Sequence, residues 1–168
     1  EIDQEIGDGA ISPDAIRRLT LLEQVIKEAL RLYPPIHASL RRAASDIEFG
    51  DYCIPAGSRV LYSIYLTQRD PAHWQDAGEF CPERFAPGSD KPAAFTYVPF
   101  GGGPRNCIGG AYGKFETMAV LAWLFQHFDF RWAQRSAHAH MGATLEPRPG
   151  VMMAIHPRLP VATGGVTA

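Results

Sequence analysis

The stretch that most constrains this chain is "PFGGGPRNCIGGAYGKFE", Pro99 to Glu116, in which three glycines, a proline, an arginine and one cysteine precede a long helical pattern. A glycine-rich loop opening a helix can hold a phosphate, a dinucleotide, a metal ion or a reactive thiolate. A P-loop requires Lys-Ser or Lys-Thr after the glycines, and neither follows here. A dinucleotide turn requires a third glycine where Asn106 stands, and Pro104 stiffens the segment. A structural zinc site requires four Cys or His ligands at close spacing, yet Cys107 has no other Cys or His within ten residues. The close pair His138 and His140 reads as part of a solvated loop.

What remains is a single cysteine acting as an axial thiolate. Placed where the helix begins, Cys107 is expected to face the backbone N–H groups of Ile108 to Gly110. The helix dipole favours a negative group there by about 0.3–1 kcal/mol, which lowers the thiol pKa toward thiolate. Gly101, Gly102, Gly103 and Gly109 let the backbone turn tightly and approach a flat ligand without side-chain collision. Arg105 is placed to pair bidentately with a carboxylate of that ligand. A thiolate on haem iron pushes electron density toward bound dioxygen and favours O–O cleavage.

The rest of the chain supplies a mixed scaffold. "ISPDAIRRL" predicts a short helix with Ser12 as N-cap and Pro13 at its first position. Thr20 is expected to cap a second helix, with Glu23 completing a capping box. That helix presents Leu22, Val25, Ile26, Ala29, Leu30 and Tyr33 at helical spacing and stops at Pro34-Pro35. Turns at Gly50-Asp51 and Pro55 to Gly57 separate short β-type runs, and "RVLYSIYL" predicts a strand. The proline-rich segment from Arg69 to Phe100 is long and irregular, as functional or wrapping segments are. A further helix follows Cys107 to about His127, with Phe115, Met118, Ala119, Leu121, Ala122 and Phe125 on one face. "FDFRW" predicts a strand, "ATLEPRPGVMMAIHPR" a hairpin turning near Pro149-Gly150, and the tail "VATGGVTA" is expected to fray. At 168 residues and 46% hydrophobic, one domain with a real core is the default. A formal net charge of -2 without a Lys/Arg run argues against a nucleic-acid surface. Cys53 and Cys81 read as small, partly buried hydrophobes in a reducing compartment.

These residues carry a family pattern. Phe100, Gly103, Arg105, Cys107 and Gly109 match every fixed position of F-x-x-G-x-R-x-C-x-G, so the loop resembles the haem-binding loop of the cytochrome P450 family. Glu28 and Arg31, followed by "LYPP", resemble the E-x-x-R motif of the family's K helix, and "PERF", Pro82 to Phe85, resembles its P-E-R-F segment. The resemblance runs from near residue 1 to about residue 158. It implies an α+β, mainly helical fold: the C-terminal part of the family's fold, with K helix, small β-sheet, meander, Cys-ligand loop, L helix and terminal β-hairpin. Residues 1–168 are then a single fragment starting just before the K helix, without the upstream I helix and its acid/alcohol proton relay.

The resemblance implies haem b (iron protoporphyrin IX) held by Cys107 as iron ligand, with Phe100, Gly103, Arg105, Gly109 and Arg41 around it. Arg41 and Arg105 would bind the propionates, and Arg42 is the weaker alternative to Arg41. Glu28, Arg31 and Arg84 would form a buried cluster supporting the loop. His37, Ala38, Ser39 and Ala143, within the stretches Ile36 to Leu40 and Gly142 to Thr144, are candidates for the substrate pocket. The implied activity of the parent protein is a haem-thiolate monooxygenase inserting one oxygen atom of dioxygen into a small organic substrate. Electrons would come from a ferredoxin or an NADPH-dependent flavoprotein reductase. Two alternatives stand beside it: a non-catalytic truncated haem-binding fragment, and a peroxygenase-type enzyme needing no reductase. No nucleic-acid partner is implied. Lys114 and Arg69 read as surface cations on the proximal side. A cytoplasmic, bacterial setting is expected, with a membrane anchor upstream left open.

Overall fold

In the computed structural model, residues 1–134 and 136–158 are described; the tail "VATGGVTA" lies outside them. Three helices open the chain: α1 (Ile2–Glu5), α2 (Pro13–Arg18) and α3 (Thr20–Leu32). The Ser12 hydroxyl accepts from the Ala15 N–H at 3.1 Å and Pro13 is the first residue of α2, as its sequence dictates. Helix α3 is capped differently from expectation. Thr20 is already inside the helix, and its side chain makes no cap. The Glu1 carboxylate instead accepts from Leu21 N (2.7 Å) and Leu22 N (2.9 Å), two of the orphan donors of the first turn. Glu23 is thereby free to accept from Lys114 at 2.7 Å and Lys27 at 3.1 Å.

Among the described residues four antiparallel two-stranded ribbons follow. Strand β1 (Ala38–Arg42) pairs with β4 (Arg59–Ser63), in the register Ser39 opposite Tyr62 and Arg41 opposite Val60. Strands β2 (Ile47–Phe49) and β3 (Tyr52–Ile54) form a hairpin about Gly50, whose φ of 58° suits a residue without Cβ. The expected strand through "SIYL" ends early. Ser63 accepts from Leu66 N at 3.1 Å and turns the chain into α4 (Ile64–Thr67). The irregular segment condenses locally into 3₁₀ turns at Pro82–Phe85 and Gly103–Arg105. Helix α5 spans Gly110–His127.

The expected C-terminal hairpin is a correction. Strand β5 (Phe128–Trp132) pairs with β8 (Met153–Pro157), while β6 (His138–Met141) pairs with β7 (Leu145–Arg148). The Pro149-Gly150 corner therefore passes between two ribbons instead of closing one. Gln134 fixes that crossing: its amide N–H donates to Gly150 O (2.9 Å) and its oxygen accepts from Met152 N (2.7 Å). His138 and His140 lie on a strand, exposed, and not in a loop. Cys53 is exposed on β3 and not part of a core.

The core lies where α2 and α3 meet α5. Ile16, Leu19, Leu22, Ile26, Met118 and Ala122 are buried together, with Ala119 and Leu121 packed against them. Each fully buried aliphatic side chain there contributes roughly 1.5–3 kcal/mol. Of the expected apolar faces, Tyr33, Phe115 and Phe125 remain exposed. A second, aromatic cluster joins Trp74, Phe85 and Tyr97 under the irregular segment, with the Phe85 and Tyr97 rings 4.9 Å apart. The Arg31 guanidinium covers the Trp74 ring at 5.1 Å.

Candidate functional site

The glycine loop is a sequence of tight turns that delivers Cys107 to the surface ahead of α5. Gly101 N donates to Val98 O (2.9 Å), Asn106 N to Gly103 O (3.1 Å), and Cys107 N reaches back to Phe100 O (2.8 Å). Gly101 and Gly103 sit at φ of 81° and 69°, a region that β-carbons resist, so glycine at these two positions is a backbone requirement. Phe100 is wedged beside the start of α5. A Cβ on the buried Gly110 would lie 3.0 Å from the Phe100 ring. A Cβ on Gly109 would lie 4.0 Å from the Cys107 sulfur. The sulfur does not collect helix N–H groups as expected: Gly109 is the N-cap, and Gly110 N donates to the Cys107 carbonyl (3.3 Å).

Cys107 opens onto a cleft of about 340 Å³. Its walls include Phe100, Gly101 and Arg105 from the loop, Ser39 and Arg41 from β1, and Tyr62 from β4. The β1–β4 ribbon supplies one side of this cleft and the cysteine loop another, so positions some 66 residues apart line it together. Arg41 donates to Ser39 Oγ (3.1 Å) and Leu40 O (2.9 Å) and stacks over the Tyr62 ring at 5.4 Å. Among the described residues neither Arg41 nor Arg105 has a carboxylate partner. Two unpaired guanidiniums and one thiol converging on one cleft form a donor set suited to a flat, anionic, metal-bearing ligand. Arg42 points elsewhere, toward Gly57 and Arg59.

Of the four pocket candidates, Ser39 lines this cleft and His37, Ala38 and Ala143 do not. The two stretches are nevertheless brought together. His37 Nε2 lies 3.0 Å from Gly142 O, and Leu145 N donates to Pro35 O at 2.8 Å. A larger cleft of about 670 Å³, between Tyr33, Tyr65, Arg69 and Trp132, contains none of the candidates for the substrate pocket or the haem site. Arg69 is no simple surface cation: it stacks on Tyr33 and Tyr65 and donates to Leu32 O at 2.8 Å.

Beneath the loop lies the ion cluster. Glu28 and Arg31 are wholly buried and paired through two 2.8 Å bonds, Nε to Oε2 and Nη2 to Oε1. The same carboxylate accepts from Cys81 N (2.9 Å) and Arg84 Nε (3.4 Å). Burial alone would raise the Glu28 carboxyl, but the Arg31 hydrogen bonds, the Cys81 N–H and both guanidinium charges outweigh it and hold it below its ordinary value. Arg31 also donates to the carbonyls of Gln68, Ala77 and Glu79 at 2.8–2.9 Å, so one side chain ties α3 to the irregular segment. Tyr97 donates to Lys27 O (3.1 Å), and burial beside Glu28 and Glu23 pushes its hydroxyl well above the ordinary phenol value.

Sequence reasoning missed Gln68. It is fully buried and saturated: Nε2 donates to Leu30 O and Arg31 O (both 3.0 Å), and Oε1 accepts from Val98 N (2.8 Å). A glutamine preceding "RDP" carries no spacing signal; its partners are 30 or more residues away.

Against known proteins, the sequence model described as Cytochrome P450 matches residues 1–155. The chain is 34% identical over 164 residues to Protein LUTEIN DEFICIENT 5, chloroplastic, of Arabidopsis thaliana, covering 94% of this chain and 28% of that protein. It is 37% identical over 160 residues to a cytokinin hydroxylase of Arabidopsis thaliana, covering 94% and 31%. A retinoic-acid-bound cyanobacterial structure, CYP120A1, superposes with a TM-score of 0.84 at 29% identity, covering 94% of this chain and 38% of that one. The chain thus spans about a third of the length of the curated relatives it matches.

Proposed function

The chain belongs to the cytochrome P450 family, whose members are haem-thiolate monooxygenases, and from its site we propose that it forms the proximal, thiolate-bearing part of such an enzyme. The observation that carries this reading is the cleft in which Cys107, Arg41 and Arg105 converge without an acidic partner for either arginine among the described residues. The donor set fits iron protoporphyrin IX. Cys107 would hold the iron, Arg41 and Arg105 the two propionates, and Phe100 the proximal side, with Gly103 and Gly109 keeping the approach open. When bound, the haem supplies redox chemistry that lets one atom of dioxygen be inserted into an organic substrate.

The chain's own residues do the holding. Arg41 is pre-oriented by Ser39 Oγ and the Tyr62 ring, so little side-chain entropy remains to be lost on binding an anion. Phe100 lines the same cleft as the sulfur, and the Phe100 O to Cys107 N bond ties the cysteine backbone to it. Ser39, with His37, Ala38 and Ala143 behind it, would contribute to the substrate wall. The relative named as a cytokinin hydroxylase supports oxygen insertion into a small organic substrate as the reaction class. Two electrons would be delivered by a ferredoxin or a flavoprotein reductase. Among the described residues no helix is long and apolar enough to cross a membrane.

The test is spectroscopic. The full-length haem-loaded protein is reduced and exposed to carbon monoxide. The wild type is expected to give the strongly red-shifted Soret band of thiolate-ligated iron, and Cys107→Ser to lose it. Arg41→Ala and Arg105→Ala should weaken haem retention while leaving the band position unchanged. A red-shifted band that survives Cys107→Ser refutes the ligand assignment.

A further inference from the structure

Gln68 bonds both to Arg31 of the ion cluster and to Val98 at the start of the cysteine loop. Its backbone carbonyl accepts from Arg31 Nη1 at 2.9 Å. Its amide donates to the Leu30 and Arg31 carbonyls, which lie at the C-terminal end of α3 where no further turn supplies donors. Its amide oxygen accepts from Val98 N at 2.8 Å. Two carbonyls on one side and an N–H on the other leave only one orientation of the amide that satisfies all three. Val98 is in turn the residue whose carbonyl accepts from Gly101 N, closing the turn that places Phe100. Phe100 O then accepts from Cys107 N at 2.8 Å. Hydrogen bonds link Glu28, Arg31, Gln68, Val98 and Gly101 in turn, and Phe100, bonded along the chain to Gly101, accepts from Cys107.

We propose that Gln68 is a positioning residue for the thiolate: it sets the seat of the Cys107 loop against the end of α3. This rests on the assignment of Cys107 as iron ligand. The physical case is geometric. Val98 is the last residue before Pro99 and the glycine run, and every residue from Gly103 to Gly109 is exposed. The loop has no apolar anchor of its own over that span, so its position is inherited from Phe100 and from the Val98 amide. A hydrogen bond to the side chain of the wholly buried Gln68 holds such a position better than a fully solvated one. Without the Gln68 oxygen, the Val98 N–H is left seeking another acceptor and the turn at Gly101 is free to shift. A shift there moves the sulfur away from the place where it would hold the iron.

The experiment compares Gln68→Met with Gln126→Met in the full-length haem-loaded protein. Gln126 is a fair control, because its amide likewise donates to two carbonyls, Gly7 O (2.7 Å) and Gly9 O (2.8 Å), far from the loop. The readout is the fraction of the reduced carbon monoxide complex in the red-shifted thiolate band against the blue-shifted, thiol-ligated band, and its rate of decay. Gln68→Met is expected to raise the blue-shifted fraction and its rate of appearance several-fold, while Gln126→Met leaves both as in wild type. Gln68→Asn, too short to span Val98 and the helix end together, should act in the same direction. Amide hydrogen exchange on the haem-free protein supplies a second readout. Val98, Gly101 and Cys107 should exchange several-fold faster in the Gln68 variants and not in Gln126→Met. Equal spectral change in Gln68→Met and Gln126→Met, or unchanged exchange at Val98, overturns the proposal. A wild type lacking the thiolate band instead overturns the ligand assignment, and the exchange experiment still decides whether Gln68 seats the loop.

Discussion

Replacing Glu28 by Gln keeps the volume of the side chain and removes its charge. Arg31 is wholly buried, and it relies on that carboxylate for two of its five hydrogen bonds among the described residues and for a buried counter-charge. Removing one partner of a buried pair typically costs about 3–5 kcal/mol, because the remaining charge stays desolvated. The structure argues for the upper part of that range. An amide at position 28 offers one acceptor where four donors converge, from Arg31 (two), Cys81 and Arg84. Against a domain stability of about 5–15 kcal/mol, that loss is a large fraction of the whole. Urea unfolding followed by far-UV circular dichroism measures it. The double variant Glu28→Leu/Arg31→Met should recover only part of the loss, since the carbonyls of Gln68, Ala77 and Glu79 lose their donor in exchange. The pH dependence has a definite sign. The folded carboxyl lies below its unfolded value of about 4.3, so its contribution is complete above that pH and is lost as pH falls through the lower folded value. Wild type should therefore lose stability in that acid window, and Glu28→Gln should show a flatter profile there. If Glu28→Gln unfolds within about 1 kcal/mol of wild type, the cluster is not a buried pair of the kind described.

Three further outcomes test the scaffold. Gly113 has open space around its would-be Cβ inside α5, so Gly113→Ala should stabilise by about 0.4–1 kcal/mol in the same urea assay. Gly110→Ala, three residues earlier, meets the Phe100 ring at 3.0 Å and should instead destabilise and disturb the Cys107 loop, read as faster alkylation of that thiol. Glu1→Ala removes the cap of α3 and should cost about 0.5–2 kcal/mol, with Thr20→Ala nearly silent. Equal effects at the two positions would return the capping role to Thr20.

What the sequence disclosed and what it withheld divide along a physical line. The cysteine loop was legible because glycine at positive φ, a lone thiol and an arginine are each chemically unusual, and their order is rigid. The Glu28 and Arg31 pair was legible because three residues along a helix is one face. Ser12 and Pro13 were legible for the same local reason. The capping of α3 by Glu1 was not, because its donor and acceptor are 20 and 21 residues apart and Thr20 with Glu23 made a complete local alternative. The pairing of β7 with β6 and β8 with β5 was hidden likewise: adjacent β-type runs around Pro-Gly read as one hairpin until Gln134 is seen holding the corner. Gln68 is the extreme case, a residue whose whole role lies in contacts with no sequence periodicity.

The cleft's construction also sets the order in which it can come into being. Helix α3 and the β2–β3 hairpin need only neighbours, and they can form in microseconds or less. The Gln68 to Val98 bond closes a loop of 30 residues, whereas the His37 to Gly142 contact joins positions 105 apart. Closing the longer loop carries an entropic cost about 1 kcal/mol greater. On that entropic ground the contact that seats the Cys107 loop is expected to form before the one that joins His37 to Gly142.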